Sequence, residues 1–202
     1  MNFIKTPALV ALALSAATAC LAPAQAAVLA DSVKDFTLAS QGVNHWYYGW
    51  AAGTPASYTV SAFKRMTHVD TIKWYEDPTT SWLMIWAEGQ HPQGLTTTAP
   101  KTPTQAVAVR RWIAPTAGTY KVTGTVTHVG NGPGSVNSDG VEARIVKGTL
   151  TVWSASIAQH GTQDYAITVK LQANQPLDFV LGPGAASNDI EDATSFSAVI
   201  SQ

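Results

Sequence analysis

The aromatic residues Trp46, Tyr48 and Trp50 occupy alternate positions of one short segment, directly after His45. In an extended strand alternate side chains point to the same side, so the three rings would form one row. Flat aromatic rings provide apolar surfaces on which sugar rings can stack, and a neighbouring imidazole can add a hydrogen bond. The spacing therefore predicts a sugar-binding platform with His45 beside it. The alternative is a strand whose rings pack in the core.

His91 is a second candidate for a polar ligand contact. It follows a carboxylate and an amide in the run Glu88-Gly89-Gln90-His91-Pro92. This run leads into a Pro- and Thr-rich stretch that predicts a long surface loop over residues 90–105, and such loops often carry function. The alternative is that these residues make only structural hydrogen bonds.

Arg110 is the third polar candidate. It precedes Arg111 in a strand-like run, so the two side chains point to opposite faces. A guanidinium exposed on a sheet face can bind a uronic acid carboxylate through two parallel hydrogen bonds. The alternative is a structural ion pair, for example with Glu88 or Glu142.

Asp139, Asp189 and Asp192 are the candidate ligands of a structural calcium ion. They lie in two stretches rich in oxygen-bearing side chains, and calcium prefers several hard oxygen ligands in a flexible cage. No EF-hand spacing is present, and acidic surface loops without an ion are the alternative.

The elements that must position these residues read as strands. Apolar and polar residues alternate with period two, and no segment shows a convincing helical stripe. Roughly ten short runs rich in Val, Ile, Thr and aromatic residues are bounded by turn formers. This pattern predicts an all-β, antiparallel two-sheet β-sandwich, with a jelly roll as the favoured topology. Besides the first aromatic segment, the runs cover residues 58–63, 71–76, 82–87, 106–113, 119–129, 140–146, 150–157, 165–171, 177–181 and 194–200.

The strand over residues 82–87 is apolar on both faces, with Trp82, Met84 and Trp86 on one of them. A strand of this kind is expected to be central and covered on both sides. The pattern therefore predicts that Trp82 and Trp86 pack in the core, together with Trp74.

The first 26 residues read as a secretory signal peptide. Lys5 precedes an apolar run over residues 8–19, and Ala24-Gln25-Ala26 is a cleavage site of the A-x-A type. We therefore expect residues 27–202 to form a single secreted or periplasmic domain. Lipid attachment at Cys20 is the less favoured alternative, because no leucine stands three positions before it.

The composition excludes several classes of function. The chain has 12 Lys and Arg residues against 13 Asp and Glu, with no basic run, which argues against nucleic acid as a partner. No later stretch predicts a membrane span. Removal of the signal takes away the only cysteine, which leaves no disulfide, thiol nucleophile or cysteine-based zinc site. We expect a monomer.

The order of several short motifs resembles jelly-roll domains of the carbohydrate-binding-module type found in secreted bacterial proteins. The resemblance implies a two-sheet sandwich and non-catalytic glycan binding, and it allows for a structural calcium ion. The motifs that carry it are Gln41-Gly42 before the first aromatic segment, His91-Pro92, Val109-Arg110-Arg111-Trp112 with Pro115 and Gly118, Asp139-Gly140-Val141 with Ile145, Val152-Trp153, Asp178-Phe179-Val180, and Asp192, Thr194 and Phe196.

Three functions remain open from the sequence. The first is non-catalytic recognition of a polysaccharide by aromatic stacking. The second is a small polysaccharide lyase on the same fold, with a base among His45, Tyr48 and His91 and with Arg110 neutralising the uronate. The third is an envelope or matrix protein whose partners are other proteins.

Overall fold

The computed structural model describes residues 27–77, 82–95, 105–130 and 137–202. The signal peptide with Cys20, and residues 96–104 of the predicted loop, lie outside the described residues. Within the described ranges, none of the helices has the length and hydrophobicity that crossing a membrane requires.

Fifteen strands are assigned in these ranges, and every pairing between them is antiparallel. They are β1 (Val28–Asp31), β2 (Trp46–Ala52), β3 (Lys64–Arg65), β4 (His68–Val69), β5 (Lys73–Tyr75), β6 (Met84–Trp86), β7 (Gly89–His91), β8 (Ala106–Ile113), β9 (Gly118–His128), β10 (Val141–Lys147), β11 (Leu150–Ile157), β12 (Thr162–Leu171), β13 (Pro176–Pro183), β14 (Thr194–Phe196) and β15 (Val199–Ser201).

The strands form two sheets that confirm the predicted β-sandwich. The first sheet has the order β1-β15-β9-β14-β7-β6-β5-β4, with β12 on the other side of β9, and the second has the order β11-β10-β13-β8-β2-β3. From β7 to β14 the chain passes back and forth between the sheets, and only β10 and β11 are consecutive in one sheet. This order builds the four-stranded halves β12-β9-β14-β7 and β11-β10-β13-β8, which is a jelly roll. Strands β4, β5 and β6 extend the first half beyond β7.

Two predicted strands differ in the structure. Residues 58–63 form no strand, because Tyr58 packs on the outer face of the second sheet with Val107, Val109 and Val180, and Val60–Ala62 form a 3₁₀ turn. The apolar residues of this segment are therefore buried by packing rather than by pairing. Residues 194–200 form two short strands, β14 and β15, instead of one.

The main core lies between the sheets and is rich in aromatic rings. Trp46 packs 5.6 Å from Phe179, and Phe179 packs edge-on 5.9 Å from Phe196, with distances taken between ring centroids. Trp112 contacts Tyr120 in the same edge-on way at 5.1 Å. These contacts join strands of both sheets, and edge-on pairs of this kind stabilise a core beyond their buried area.

Arg110 lies inside this core with no exposed surface. Its Nη1 donates to the carbonyls of Ser32 and Ala87, each at 3.0 Å, and its Nη2 donates to the carbonyls of Gly89, at 2.8 Å, and Trp86. Burial lowers the pKa of Arg110 to about 10, so the guanidinium remains charged at neutral pH. The guanidinium of one residue on the second sheet thus donates hydrogen bonds to four backbone carbonyls on the side of the first sheet.

Arg111 points to the opposite face, as the alternation predicts. It forms two 2.7 Å hydrogen bonds with Asp178, which also accepts a 2.6 Å bond from the Tyr58 hydroxyl. The guanidinium lies 4.0 Å from the centroid of the Phe63 ring. The ion-pair partner is therefore Asp178, a residue on the neighbouring strand β13, and not Glu88 or Glu142.

We expect Arg110→Leu to lower the free energy of unfolding by about 3 kcal/mol or more, because four buried carbonyls lose their donor at about 1–3 kcal/mol each before relaxation. The matched control is Arg144→Leu, which removes a partly exposed guanidinium paired with Glu142 and should change stability by less than about 1 kcal/mol. Urea unfolding of both variants measures the difference. Equal losses would contradict the role given to Arg110.

Candidate functional site

The outer face of strands β5, β6 and β7 carries a group of partly exposed aromatic side chains. Tyr75, Met84 and His91 lie directly opposite one another on the three strands. The Trp82 ring lies 6.0 Å from that of His91 and is 50% exposed, and Trp86 is partly exposed two positions beyond Met84. We call Tyr75, Trp82, Met84, Trp86 and His91 the aromatic face. Its partly exposed rings offer apolar surface for stacking on a flat ligand.

The alternation along β6 explains why these residues face solvent. Leu83 and Ile85 are almost completely buried in the main core, so Trp82, Met84 and Trp86 lie on the opposite side of the strand. By the rise of an extended chain, the α-carbons of Trp82 and Trp86 are about 13 Å apart. A ligand that contacts both rings must therefore be longer than a single sugar ring.

Gly89 lets the Trp86 ring lie flat across β7. A Cβ atom at position 89 would approach Cζ2 of Trp86 to 2.6 Å and the Thr194 carbonyl to 2.4 Å. Both distances are shorter than real Cβ contacts, so a side chain at position 89 would displace the ring. The orientation of Trp86 thus depends on this glycine.

Backbone contacts fix the two imidazoles at the ends of the aromatic face. His91 Nδ1 donates to the Pro92 carbonyl at 2.6 Å, and His68 Nδ1 donates to the Glu76 carbonyl at 2.9 Å. A carbonyl can only accept, which assigns the proton to Nδ1 in both rings. The His68 ring also stacks on Tyr75, with 5.8 Å between the ring centroids.

A groove of about 690 Å³ continues from the aromatic face at Trp86. Phe36 and Leu38 form one wall, and Thr37 between them accepts a 2.8 Å hydrogen bond from Trp74 Nε1 through its carbonyl. Thr71, Ile72 and Glu88 also line the groove. The wall on the side of Phe36 is therefore tied to the core.

The prediction that Trp46, Tyr48 and Trp50 form an exposed binding platform is wrong. The three side chains do share one face of β2, but that face points into the main core, where Trp46 and Tyr48 are each 1% exposed. Trp50 is half-buried at the edge of this core, with Lys64 Nζ 4.8 Å from its ring centroid. Tyr48 packs between Phe36 and Trp74.

The predicted polar contacts are not brought together. Arg110 is inside the core, and four carbonyls accept hydrogen bonds from its Nη1 and Nη2, so it cannot bind a uronate carboxylate on the surface. His45 is exposed at the start of β2, whereas His91 is mostly buried on the aromatic face. The groups proposed for a lyase therefore do not line a common surface.

The prediction that Trp82 and Trp86 pack in the core is wrong, because both side chains face outwards. Trp74 is buried in the core, as predicted. The signal that sequence reasoning missed is on the neighbouring strand. Lys73 and Tyr75 pair with Trp86 and Met84 and would face solvent, which marks that side of the sheet as the outer one.

The candidate calcium ligands do not form one site in the described residues. No group of three or more His, Cys, Asp or Glu side chains there is arranged to hold a metal ion. Asp139 Oδ2 accepts the Ala186 amide at 2.5 Å, and Asp192 Oδ1 accepts the Ser138 hydroxyl at 2.7 Å. Burial raises the pKa of Asp192 to about 6. Asp189 Oδ2 and Asp192 Oδ2 are buried without a hydrogen-bond partner, and calcium binding remains a prediction.

No family model matches this chain, and no curated protein matches it. The solved structures with some likeness include the C-terminal CBM6 of LamC, a marine laminarinase from Zobellia galactanivorans, at 11% identity and a TM-score of 0.31, covering 56% of this chain and 90% of that chain. A family 35 carbohydrate-binding module from Clostridium thermocellum has 9% identity and a TM-score of 0.31, with coverage of 76% and 90%. Rabbit GITRL has 12% identity and a TM-score of 0.31, with coverage of 46% and 68%. Likeness at this level carries no functional argument.

We expect Trp82→Ala to lower the free energy of unfolding by less than about 1 kcal/mol, because half of this side chain is already exposed. Trp46→Ala should lower it by about 3–5 kcal/mol, because it opens a cavity in the core. Denaturant unfolding of the two variants tests the assignment of each tryptophan. A larger loss for Trp82→Ala than for Trp46→Ala would contradict this assignment and support an exposed platform on β2.

We expect EDTA to leave the melting temperature of the protein within about 1 °C of its value in millimolar CaCl₂, because no three of the described carboxylates form a group that could hold the ion. A ligand that binds the folded state raises its stability by mass action. A calcium-dependent rise of several degrees in a thermal-shift assay would contradict this expectation and support the calcium hypothesis.

Proposed function

We propose that this chain is a secreted, non-catalytic protein that binds a polysaccharide on its aromatic face. The observation that carries the proposal is the outward placement of Trp82 and Trp86 on one strand, with Tyr75 and His91 on the strands beside it. Rings held on a sheet lose little conformational freedom when a ligand binds, which favours recognition of flat, repeating units.

The energetics fit a modest affinity. An aromatic contact contributes about 0.5–1.5 kcal/mol beyond its buried area, so two or three rings together give useful but weak binding. The polar atoms of the exposed His68 ring are positioned by a backbone carbonyl and can select an orientation of the sugar. No charged group at the centre of the aromatic face is required for this mode of binding.

The function is tested with a glycan array, run with the processed protein in the presence and in the absence of EDTA. We expect at least one polysaccharide to bind in both conditions, because no metal ligand takes part in the aromatic face. Trp82→Ala should weaken that binding by about 2- to 10-fold, which corresponds to the loss of one stacked ring.

The matched control is Leu150→Ala, which removes an equally exposed apolar side chain from β11, at an edge of the other sheet. It should leave the affinity unchanged. If no glycan binds above background in either condition, the proposal fails, and a protein-binding role in the envelope or matrix becomes the leading hypothesis, which cross-linking would then test.

A further inference from the structure

The groove beyond Trp86 is lined by apolar side chains together with the polar residues Thr37, Thr71 and Glu88, and its apolar part does not complement an unmodified sugar. Phe36, Leu38 and Ile72 present apolar surface, and Ile72 is 64% exposed. Burying the hydroxyl groups of a sugar against these three apolar side chains leaves the hydroxyls without hydrogen-bond partners, which is unfavourable. A substituent with a methyl group would instead gain free energy by covering Ile72.

Turn geometry holds Ile72 in this position. The Asp70 side chain accepts hydrogen bonds from the amides of Ile72, at 2.8 Å, and Lys73, at 3.0 Å. The Asp70 carboxylate also pairs with the Lys73 ammonium at 3.8 Å. The exposed Ile72 side chain is thus part of a fixed turn, and the Lys73 ammonium beside it already has an anionic partner.

The charges around the groove favour a neutral ligand. The exposed carboxylate of Glu88 lies at its edge and would repel a uronate. Arg110, the one group expected from the sequence to bind a uronate, is inside the core. A carboxylate can accept a hydrogen bond from an amide N–H, which a neutral acetamido group supplies.

We propose that this groove is the second subsite of the aromatic face and receives the acetyl substituent of a neutral glycan, such as an N-acetylated sugar. This inference rests on the proposed function. Trp86 lines both the aromatic face and the groove, so one glycan chain can stack on Trp82 and Trp86 while a substituent enters the groove.

The inference is tested by calorimetric titration with cellohexaose and chitohexaose. Both are neutral hexamers, and they differ in carrying a hydroxyl or an acetamido group on each sugar. We expect the wild-type protein to bind chitohexaose about 5-fold or more tightly than cellohexaose, because several apolar contacts are gained in the groove.

Two variants separate the groove from the aromatic face. Ile72→Ser should reduce the affinity for chitohexaose about 3- to 5-fold and leave that for cellohexaose unchanged. Trp82→Ala should reduce the affinity for both hexamers by the same factor, and Leu150→Ala should change neither affinity.

Equal affinity of the wild-type protein for the two hexamers would overturn the inference and leave the proposed function standing. The same holds if neither hexamer binds while another glycan on the array does, or if hexagalacturonate binds more tightly than chitohexaose. Failure of every glycan on the array would overturn both proposals.

Discussion

The guanidinium of Arg110 joins the second sheet to the part of the chain that presents the aromatic face. Its four acceptors are the carbonyls of Ser32, Trp86, Ala87 and Gly89. Three of them belong to β6, β7 and the tight connection between them. A buried charge without a carboxylate partner is stable only when its donors are well used, and here backbone carbonyls take that role. The position of Trp86 therefore depends on a residue on the other side of the core.

The part of the second sheet formed by β2, β8 and β13 is covered on both faces, and this explains where the aromatic rings of β2 go. Its inner face meets the first sheet, and its outer face meets the segment that contains Tyr58 and Phe63. Gly49 allows the close approach, because a Cβ there would lie 2.3 Å from both the Phe63 ring and the Lys64 carbonyl. With both faces covered, no row of rings on β2 can serve as an open platform. The exposed aromatic rings lie instead on the first sheet.

Period-two alternation was sufficient to predict the sandwich, most strand positions and the opposite facing of Arg110 and Arg111. It predicts which side chains share a face but not which face meets solvent. For β6 the ambiguity is complete, because Leu83 and Ile85 are as apolar as Trp82 and Met84. The decision comes from long-range pairing with β5, which carries Lys73 and Tyr75. The prediction for Arg110 was wrong for a related reason. Its partners are backbone carbonyls, and because every residue has one, they cannot be recognised from the sequence.

The aromatic face lies where strands are added to the jelly roll rather than in its eight-stranded centre. Strands β4, β5 and β6 extend the first sheet past β7, so their outer side chains contribute little to the packing between the sheets. Leu83, Ile85 and Trp74 anchor this extension from below, and Arg110 fixes its connection to β7. The proposed binding surface and the core-forming side chains therefore lie on opposite faces of the same strands. This separation allows large aromatic side chains to remain partly exposed without weakening the core, and it keeps them rigid enough to act as a binding surface.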